Sequence, residues 1–486
     1  MIDPVKELQR LCEALDARAV KVLECEDWFD GNHPIPAPPA HSAAVVNNEA
    51  RQAFNTMSRL AVTNMLAPIV KAPAKKLRVE GFQFGESSVD TDKEAWAIWQ
   101  RNYLDADTPA AHLTAVKTGQ AFGLVWPDEN GMATITMEDP SQCIVSYEAG
   151  SRRLRRSALK RWVDEDGVTY ATLYTPTALY KFKSATARNA NSPMLRFAVG
   201  SMTFEPREVP GEDWPLRNPL GVVPLVELAV NRTLKPSPFG GGVSQFAGQL
   251  NEQRKINATV MNLLVTLENQ AFRQRWATGW DYPVKEDGTP DLAAIQANSA
   301  ARLMVLNGDG EDKVQVGEFS QADFRPFLDV LNFWTRTMSF SSSTPPDAFL
   351  LGELVNVADG AVARLYTSHI SEVQSLADSL GEGHEELMRL ALKIENNPKA
   401  NDMSSSVRWA EFERRSATEQ MGVAKDLKEL GAPLQAVFSA VPDTTQQEAQ
   451  RWVTASAGST TLAAVLDRQA AAPLVDTPTV DAPGGV

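Results

Sequence analysis

The 486 residues predict an α+β protein, and three observations carry that expectation. Apolar residues recur at helical spacing over the first 120 residues. From 120 to about 230 the pattern changes to short runs rich in Val, Ile, Thr and Tyr between turn signals. After 240 the helical period returns in long stretches, two of which flank a compact mixed segment at about 276–320.

Taken in order, Val5, Leu8, Leu11, Leu15, Ala19 and Val22 form one apolar stripe over 4–25, with Pro4 at the helix start. The helix is expected to give way at Trp28-Phe29-Asp30-Gly31-Asn32-His33-Pro34, followed by a Pro-rich loop through Pro39. A second helix is predicted over 49–71, kinked or broken at Pro68. A third covers 92–119, carries Trp96 and Trp99, and ends near Gly119. Turn signals at Pro127-Asp128-Glu129-Asn130-Gly131, Asp139-Pro140, Glu148-Ala149-Gly150 and Asp164-Glu165-Asp166-Gly167 punctuate an antiparallel meander of about six strands. The stretch 186–220 is poorly patterned and reads as a long excursion.

Helical periodicity resumes at Val243, with Phe246, Leu250, Val260, Leu264, Leu267 and Ala271 near one face. The mixed segment holds strand-like runs at 302–306 and 314–319 and turns at Asp287-Gly288 and 307–310. A helix over 321–340 puts Phe324, Leu328, Leu331 and Trp334 on one side. Ser341-Ser342-Ser343-Thr344-Pro345-Pro346 cannot continue it and predicts an exposed loop. The longest periodic segment, 358–396, carries Val362, Leu365, His369, Val373, Leu376, Leu380, Leu387, Leu390 and Ile394. Gly381 and Gly383 mark an expected bend within it. Shorter helices fit 415–430 and 444–456, and the tail from Ala470, rich in Ala, Pro, Thr and Val, is expected to be mobile.

Composition narrows the function. At 43% apolar and 22% charged the chain is an ordinary globular one, long enough for about three structural regions. The three cysteines, Cys12, Cys25 and Cys143, lack metal-like spacing and exclude a disulfide framework, which fits a reducing compartment. The N-terminus runs directly into a charged amphipathic helix with no visible signal peptide. The longest apolar clusters, 222–230 and 258–267, are too short to span a bilayer, so a soluble intracellular protein is expected. With a net charge of −14 the chain as a whole lacks the basic footprint of a protein that grips nucleic acid, and charge that simply keeps a cytoplasmic protein soluble explains the same number equally well. A nucleic acid partner would have to pass rather than be held.

No catalytic set emerges. Gly-Lys-Ser/Thr is absent, so there is no Walker-type phosphate loop. Gly240-Gly241-Gly242 reads as a helix-entry hinge, and Gly242-Val243-Ser244-Gln245-Phe246 lacks the last glycine of a nucleophile elbow. His384-Glu385-Glu386 lacks the second histidine of a zinc helix and reads as a solvated helix turn. Asp164-Glu165-Asp166-Gly167 begins like a calcium loop but continues as a hairpin turn. The five histidines assemble into no acid–base constellation. Arg152-Arg153-Leu154-Arg155-Arg156 fits either a phosphate backbone or the charged edge of a sheet. Arg273, Arg275, Trp276 and Trp280 form a small basic–aromatic cluster that fits core or interface anchoring first and a nucleic-acid contact second. No cofactor or metal is expected, and no enzymatic activity.

The order of several motifs resembles one family. Trp28-Phe29-Asp30-Gly31-Asn32-His33-Pro34 resembles the aromatic-aromatic-Asp-Gly-x-His-Pro signature of siphophage-type portal proteins of tailed bacteriophages. Asn64 through Leu77-Arg78-Val79-Glu80-Gly81-Phe82, then Trp99-Gln100-Arg101-Asn102-Tyr103-Leu104-Asp105, resemble its next two blocks. Val223-Pro224-Leu225-Val226-Glu227 with Asn231-Arg232, and Arg408-Trp409-Ala410-Glu411 with Arg415-Ser416-Ala417-Thr418-Glu419, resemble its later ones. One departure is Val357-Ala358-Asp359-Gly360-Ala361, where the family tends to start a helix with a Ser-Gly-Glu-Ala-like run.

The resemblance implies a homo-oligomeric ring, normally of twelve copies, at one capsid vertex of the virion, assembled in the host cytoplasm. Such a ring would be the head–tail connector through which double-stranded DNA is packaged and ejected. Residues 1–240 would be the α/β wing, 241–272 and 321–340 the two stem helices, and 273–320 a small α/β clip. Residues 341–357 would be the tunnel loop, 358–400 the long wing helix, 401–460 a helical crown, and 461–486 a mobile tail. Ser342, Ser343, Thr344, Asp347, Glu353 and Asn356 would then face the DNA channel, hydroxyls making passing contacts and carboxylates adding repulsion. Arg273, Arg275, Trp276 and Trp280 would dock the large subunit of terminase, then a head–tail adaptor protein; the wing would meet the major capsid protein, and no membrane is involved. The alternatives are another connector or head-completion protein, which is usually much shorter, and an intracellular hydrolase, which would need the catalytic set that is missing.

Overall fold

The computed structural model describes residues 3–34, 55–85, 91–186, 202–234, 237–271, 275–278, 285, 289, 303–306, 315–318, 323–349, 359–412, 417–442, 444 and 446–456. They fall into two compact units, one of residues 1–82 and 93–412, the other of 83–92 and 413–486.

Helix α1 (Pro4–Asp30) starts where Asp3 accepts from the Val5 and Lys6 amides and Pro4 presets φ. It outlasts the expected end because Gly31, at φ 86°, supplies a left-handed cap and returns its amide to the Asp27 carbonyl. Trp28 and Phe29 therefore lie on its last turn. The predicted second helix is interrupted. Residues 55–60 are helical, and α2 (Leu66–Ala74) restarts where Asn64 Oδ1 accepts from the Leu66 and Ala67 amides. Pro68 sits in its first turn, where a missing amide costs nothing. After β1 (Val79–Gln83), the predicted third helix splits into α3 (Lys93–Arg101) and α4 (Leu104–Thr118) at Tyr103, whose φ is 55°. Asn102 at that break donates to the Ala133 carbonyl and accepts from the Ile135 amide.

The strand-rich stretch is antiparallel throughout but forms two sheets instead of one meander. β2 (Gln120–Pro127) and β3 (Ala133–Glu138) form a hairpin turned by Asp128, whose carboxylate caps the Asn130 and Met132 amides. Then come β4 (Cys143–Tyr147), β5 (Arg155–Val163), β6 (Thr169–Tyr174), β7 (Ala178–Ser184), β8 (Phe204–Pro206), β9 (Leu216–Arg217) and β10 (Leu225–Ala229). One sheet runs β4-β5-β6-β7-β8, with β9 also on β7; the other runs β10-β2-β3, because β10 returns to the free side of β2. Leu8, Leu11 and Leu15 of α1 pack with Ile144, Leu159, Leu173 and Phe182 on one face of the larger sheet. Val145, Ala158, Tyr174 and Leu179 pack with Phe122, Leu124 and Leu225 on the other.

Helix α5 (Leu250–Ala271) begins later than predicted. The Val243 amide donates to the Val230 carbonyl just past β10, and the Gln245 amide donates to the Val116 carbonyl on α4. Gly240-Gly241-Gly242 is thus a pinned crossing and no hinge: a Cβ on Gly242 would overlap the carbonyl oxygens of Val230 and Gly119. β11 (Arg275–Thr278), parallel to β12 (Leu303–Leu306) and antiparallel to β13 (Gln315–Glu318), makes a small sheet between α5 and α6 (Arg325–Ser341). Helix α7 (Asp359–Ile394) is continuous across the expected bend. Gly383 is there for space, since a Cβ would sit 2.5 Å from a Leu228 methyl on β10. β14 (Ser406–Trp409) pairs with β1.

In the second unit, α8 (Ala417–Glu429), α9 (Leu434–Ser439) and α10 (Gln446–Ser456) follow one another. Buried Phe438 meets Trp452 edge-on at 5.7 Å. The predicted mobile tail lies outside the described residues. Among those described, no helix is long and apolar enough to cross a membrane.

Candidate nucleic-acid interface

The segment joining α6 to α7 is where the family resemblance would put a channel surface. α6 ends as Ser342 leaves helical geometry and Ser343 turns left-handed at φ 52°. The turn is stitched internally. The Thr344 amide donates to the Ser339 carbonyl at 3.1 Å, Ser339 Oγ to the Thr344 carbonyl at 2.7 Å, and Ser342 Oγ to Thr344 Oγ1 at 2.9 Å. Ser342, Thr344, Pro345 and Pro346 are buried, so this stretch is a loop but not an exposed one. Proline blocks the helix, and the freed polar groups find partners on their own turn. A single 3₁₀ turn (Pro346–Phe349) buries Phe349 and leaves Asp347 exposed.

Three α7 residues that the sequence reading did not single out for the interface hold this turn. His369 Nδ1 donates to the Ser343 carbonyl at 3.1 Å, Ser368 Oγ donates to Ser343 Oγ at 2.9 Å, and the Tyr366 hydroxyl bonds to Asp347. Burial and the Lys76 ammonium hold His369 below its ordinary pKa, against the Ser343 carbonyl and the Asp347 and Glu372 carboxylates. The one signal in the sequence was a histidine on an otherwise apolar stripe.

Of the six channel candidates, Ser343 is half-buried and Asp347 exposed, Ser342 and Thr344 use their hydroxyls within the turn, and Glu353 and Asn356 lie outside the described residues. Of the docking candidates, Arg275 and Trp276 lie on the central strand β11, while Arg273 and Trp280 lie outside the described residues.

Other motifs resolve into structure. In the basic run, Arg155 opens β5 opposite Tyr147 of β4, and β6 pairs with β5 only from Ala158 onward. Arg152 donates to the Leu234 carbonyl, Arg153 and Arg155 pair with Glu382 and Glu386 of α7, and Arg156 pairs with Glu7 of α1. Asp164–Gly167 is the expected hairpin turn, with the Val168 amide on Asp164 Oδ1.

His384 is not a solvated turn. It is fully buried and meets His112 of α4, Nε2 to Nε2, at 2.7 Å, in a cage with Trp99 and Trp409. The Leu77 carbonyl accepts from His112 Nδ1, so in the neutral pair that burial favours, His112 Nε2 accepts from His384 Nε2. Burial pushes His112 down to about 4 and His384 well below its ordinary value. Among the described residues no group of three or more His, Cys, Asp or Glu side chains could hold a metal ion.

A family model described as phage portal protein, SPP1 Gp6-like, matches residues 9–460. Comparison with curated proteins gives no significant match.

Proposed function

Since this chain belongs to the phage portal protein family, a structural and non-enzymatic family of virion components at the capsid vertex, we propose that its copies close into a ring through which the genome is packaged and ejected. Residues 1–240 form the wing, α5 and α6 the stem, 273–320 the clip and 341–357 the tunnel loop. The long helix 358–400 returns to the wing, and 401–460 form the crown. The observation that carries this reading is the helix–small sheet–helix arrangement of α5, β11–β13 and α6, followed by a pinned turn that leads into residues 350–358. The apolar side chains Val330, Phe333 and Phe340 stay exposed on α6 and supply the contact between neighbouring copies.

In such a ring the acidic subunit repels DNA and centres it, because each tight phosphate contact would slow passage. Asp347 projects that charge at the base of the tunnel loop while Ser342 and Thr344 keep the base rigid; Ser343, Glu353 and Asn356 complete the passing surface. Arg273, Arg275, Trp276 and Trp280 dock the terminase motor and afterwards the adaptor, and the ATPase is a separate protein. Double substitution Asp347→Lys, Glu353→Lys is expected to lower DNA packaged per head while rings still form. Asp347→Asn, which keeps an acceptor for Tyr366, separates charge from loop geometry. Loss of the ring in the double variant would mean these residues are structural.

A further inference from the structure

The Trp28–Pro34 motif has no part in the channel, yet the structure gives it a partner on α5. Gln253 and Asn257 stand one turn apart on that helix and are 0% and 1% exposed. Gln253 Oε1 accepts from the Met65 amide at 2.9 Å, and its Nε2 donates to the Thr63 carbonyl and to Asn257 Oδ1. Asn257 Oδ1 also accepts from the Thr63 amide at 3.1 Å, and its Nδ2 donates to His33 Nδ1 at 3.1 Å. His33 Nε2 donates to the Trp28 carbonyl at 2.8 Å, and the two rings lie 4.6 Å apart. Asn64 closes the arrangement by donating to the Phe29 carbonyl at 2.6 Å.

The directions are forced. A carbonyl only accepts, so His33 carries its proton on Nε2 and offers a lone pair at Nδ1. Only the amide nitrogen of Asn257 can meet that lone pair, which turns its oxygen towards the Thr63 amide and Gln253. A slip of α5 by one residue rotates it by about 100° and takes the side-chain partners of the half-buried Thr63 and Met65 backbone groups away. The α5–α6 contact, by contrast, includes Lys255 over the Trp334 ring at 4.4 Å, and it sets no such direction.

We propose that His33, Gln253 and Asn257 are positioning residues, a directional polar lock that fixes the register of α5 against residues 28–34 and 63–65. It thereby presents every stem in one orientation. Naming α5 a stem helix rests on the portal reading; the lock does not.

The test reverses one polarity. Asn257→Asp replaces the donor facing His33 with an acceptor, so this contact and the bond to the Trp28 carbonyl are made together only when His33 is protonated on both nitrogens. In the natural protein, burial holds His33 below its ordinary value, against the hydrogen bond to the Trp28 carbonyl. Charged groups near this lock include Glu26, Asp27 and Asp30 on α1, Lys71 on α2 and Lys117 on α4 over Phe29, and Glu252, Arg254 and Lys255 on α5, with Arg254 over Trp28. All remain in the variant. The unfolding midpoint of Asn257→Asp in denaturant should fall below wild type at pH 8, and the gap should shrink by about half or more by pH 5.5 as His33 takes up its proton. His33→Gln on that background should remove the recovery. A gap that does not change with pH overturns the lock.

Native mass spectrometry gives the second readout. At pH 8 the variant should give rings of mixed size or open assemblies where the wild type gives a single mass. A variant ring identical to wild type overturns the positioning role. A wild type that never forms a ring contradicts the portal reading and leaves the pH test standing.

Discussion

Helices α6 and α7 both carry apolar stripes, and they treat them in opposite ways. Along α7, Val373, Leu376, Leu380, Leu387 and Leu390 are all buried, and the helix packs on β2, β10 and β14 of its own chain. Along α6, Phe333 remains 59% exposed and Phe340 78%, with Val330 beside them at helical spacing. A long helix satisfied by its own chain belongs to the subunit's core. In the proposed ring, the aromatic rings that α6 leaves in water would be covered by the next copy. On that reading, stability of the single subunit and closure of the ring are carried by different helices and should respond to different substitutions.

The largest effect is expected on the α7 side. Leu380→Ala removes a fully buried side chain and should cost about 3 kcal/mol of subunit stability, read by denaturant unfolding. A loss under about 1 kcal/mol would mean that the α7 seat is looser than its burial indicates.

Acid should act on the same helix. His112 is held down to about 4 and His384 is also lowered, whereas the unfolded chain protonates near 6.5. Between these values the unfolded state binds more protons, so stability falls as pH drops from about 6.5 towards 4, with roughly 3 kcal/mol at stake for His112 alone. Replacing both histidines with glutamine should flatten that part of the profile. The fluorescence of Trp99 and Trp409, whose rings contact the pair, should follow the same transition.

The smallest effect on the subunit is expected from α6. Phe333→Ser with Phe340→Ser should change unfolding of the single subunit by no more than about 1 kcal/mol, because both rings are largely exposed and Phe333 loses only its edge contact with Trp334. Assembly should nevertheless fail. If the subunit unfolds much more easily and the ring persists, the two helices have exchanged roles.

What the sequence made legible was local. The α1 stripe, the turn at Asp128 and the hairpin at Asp164 depend on neighbours a few residues away, and they stand where periodicity and turn chemistry put them. Misreadings came from partners far along the chain. Gly383 looked like a bend because its reason, Leu228 on β10, is 155 residues away. His384 looked solvated because His112 and Trp409 are invisible to helical spacing. Gly242 looked like a hinge because the carbonyls it abuts belong to Val230 and Gly119. In the candidate interface, the Ser-Thr-Pro turn was located, but the burial of Ser342 and Thr344 follows from backbone capping that a sequence shows only as polarity. Helix α9 was missed because six residues are too few for a period to register.

The central claim is that the open stripe of α6 closes a ring around a channel. A single-particle electron microscopy map of the purified assembly tests it most directly. The account predicts a closed ring in which Val330, Phe333 and Phe340 are covered by the neighbouring subunit and Asp347 faces the bore. A ring with that stripe on its outer surface, or particles without a channel, would contradict it.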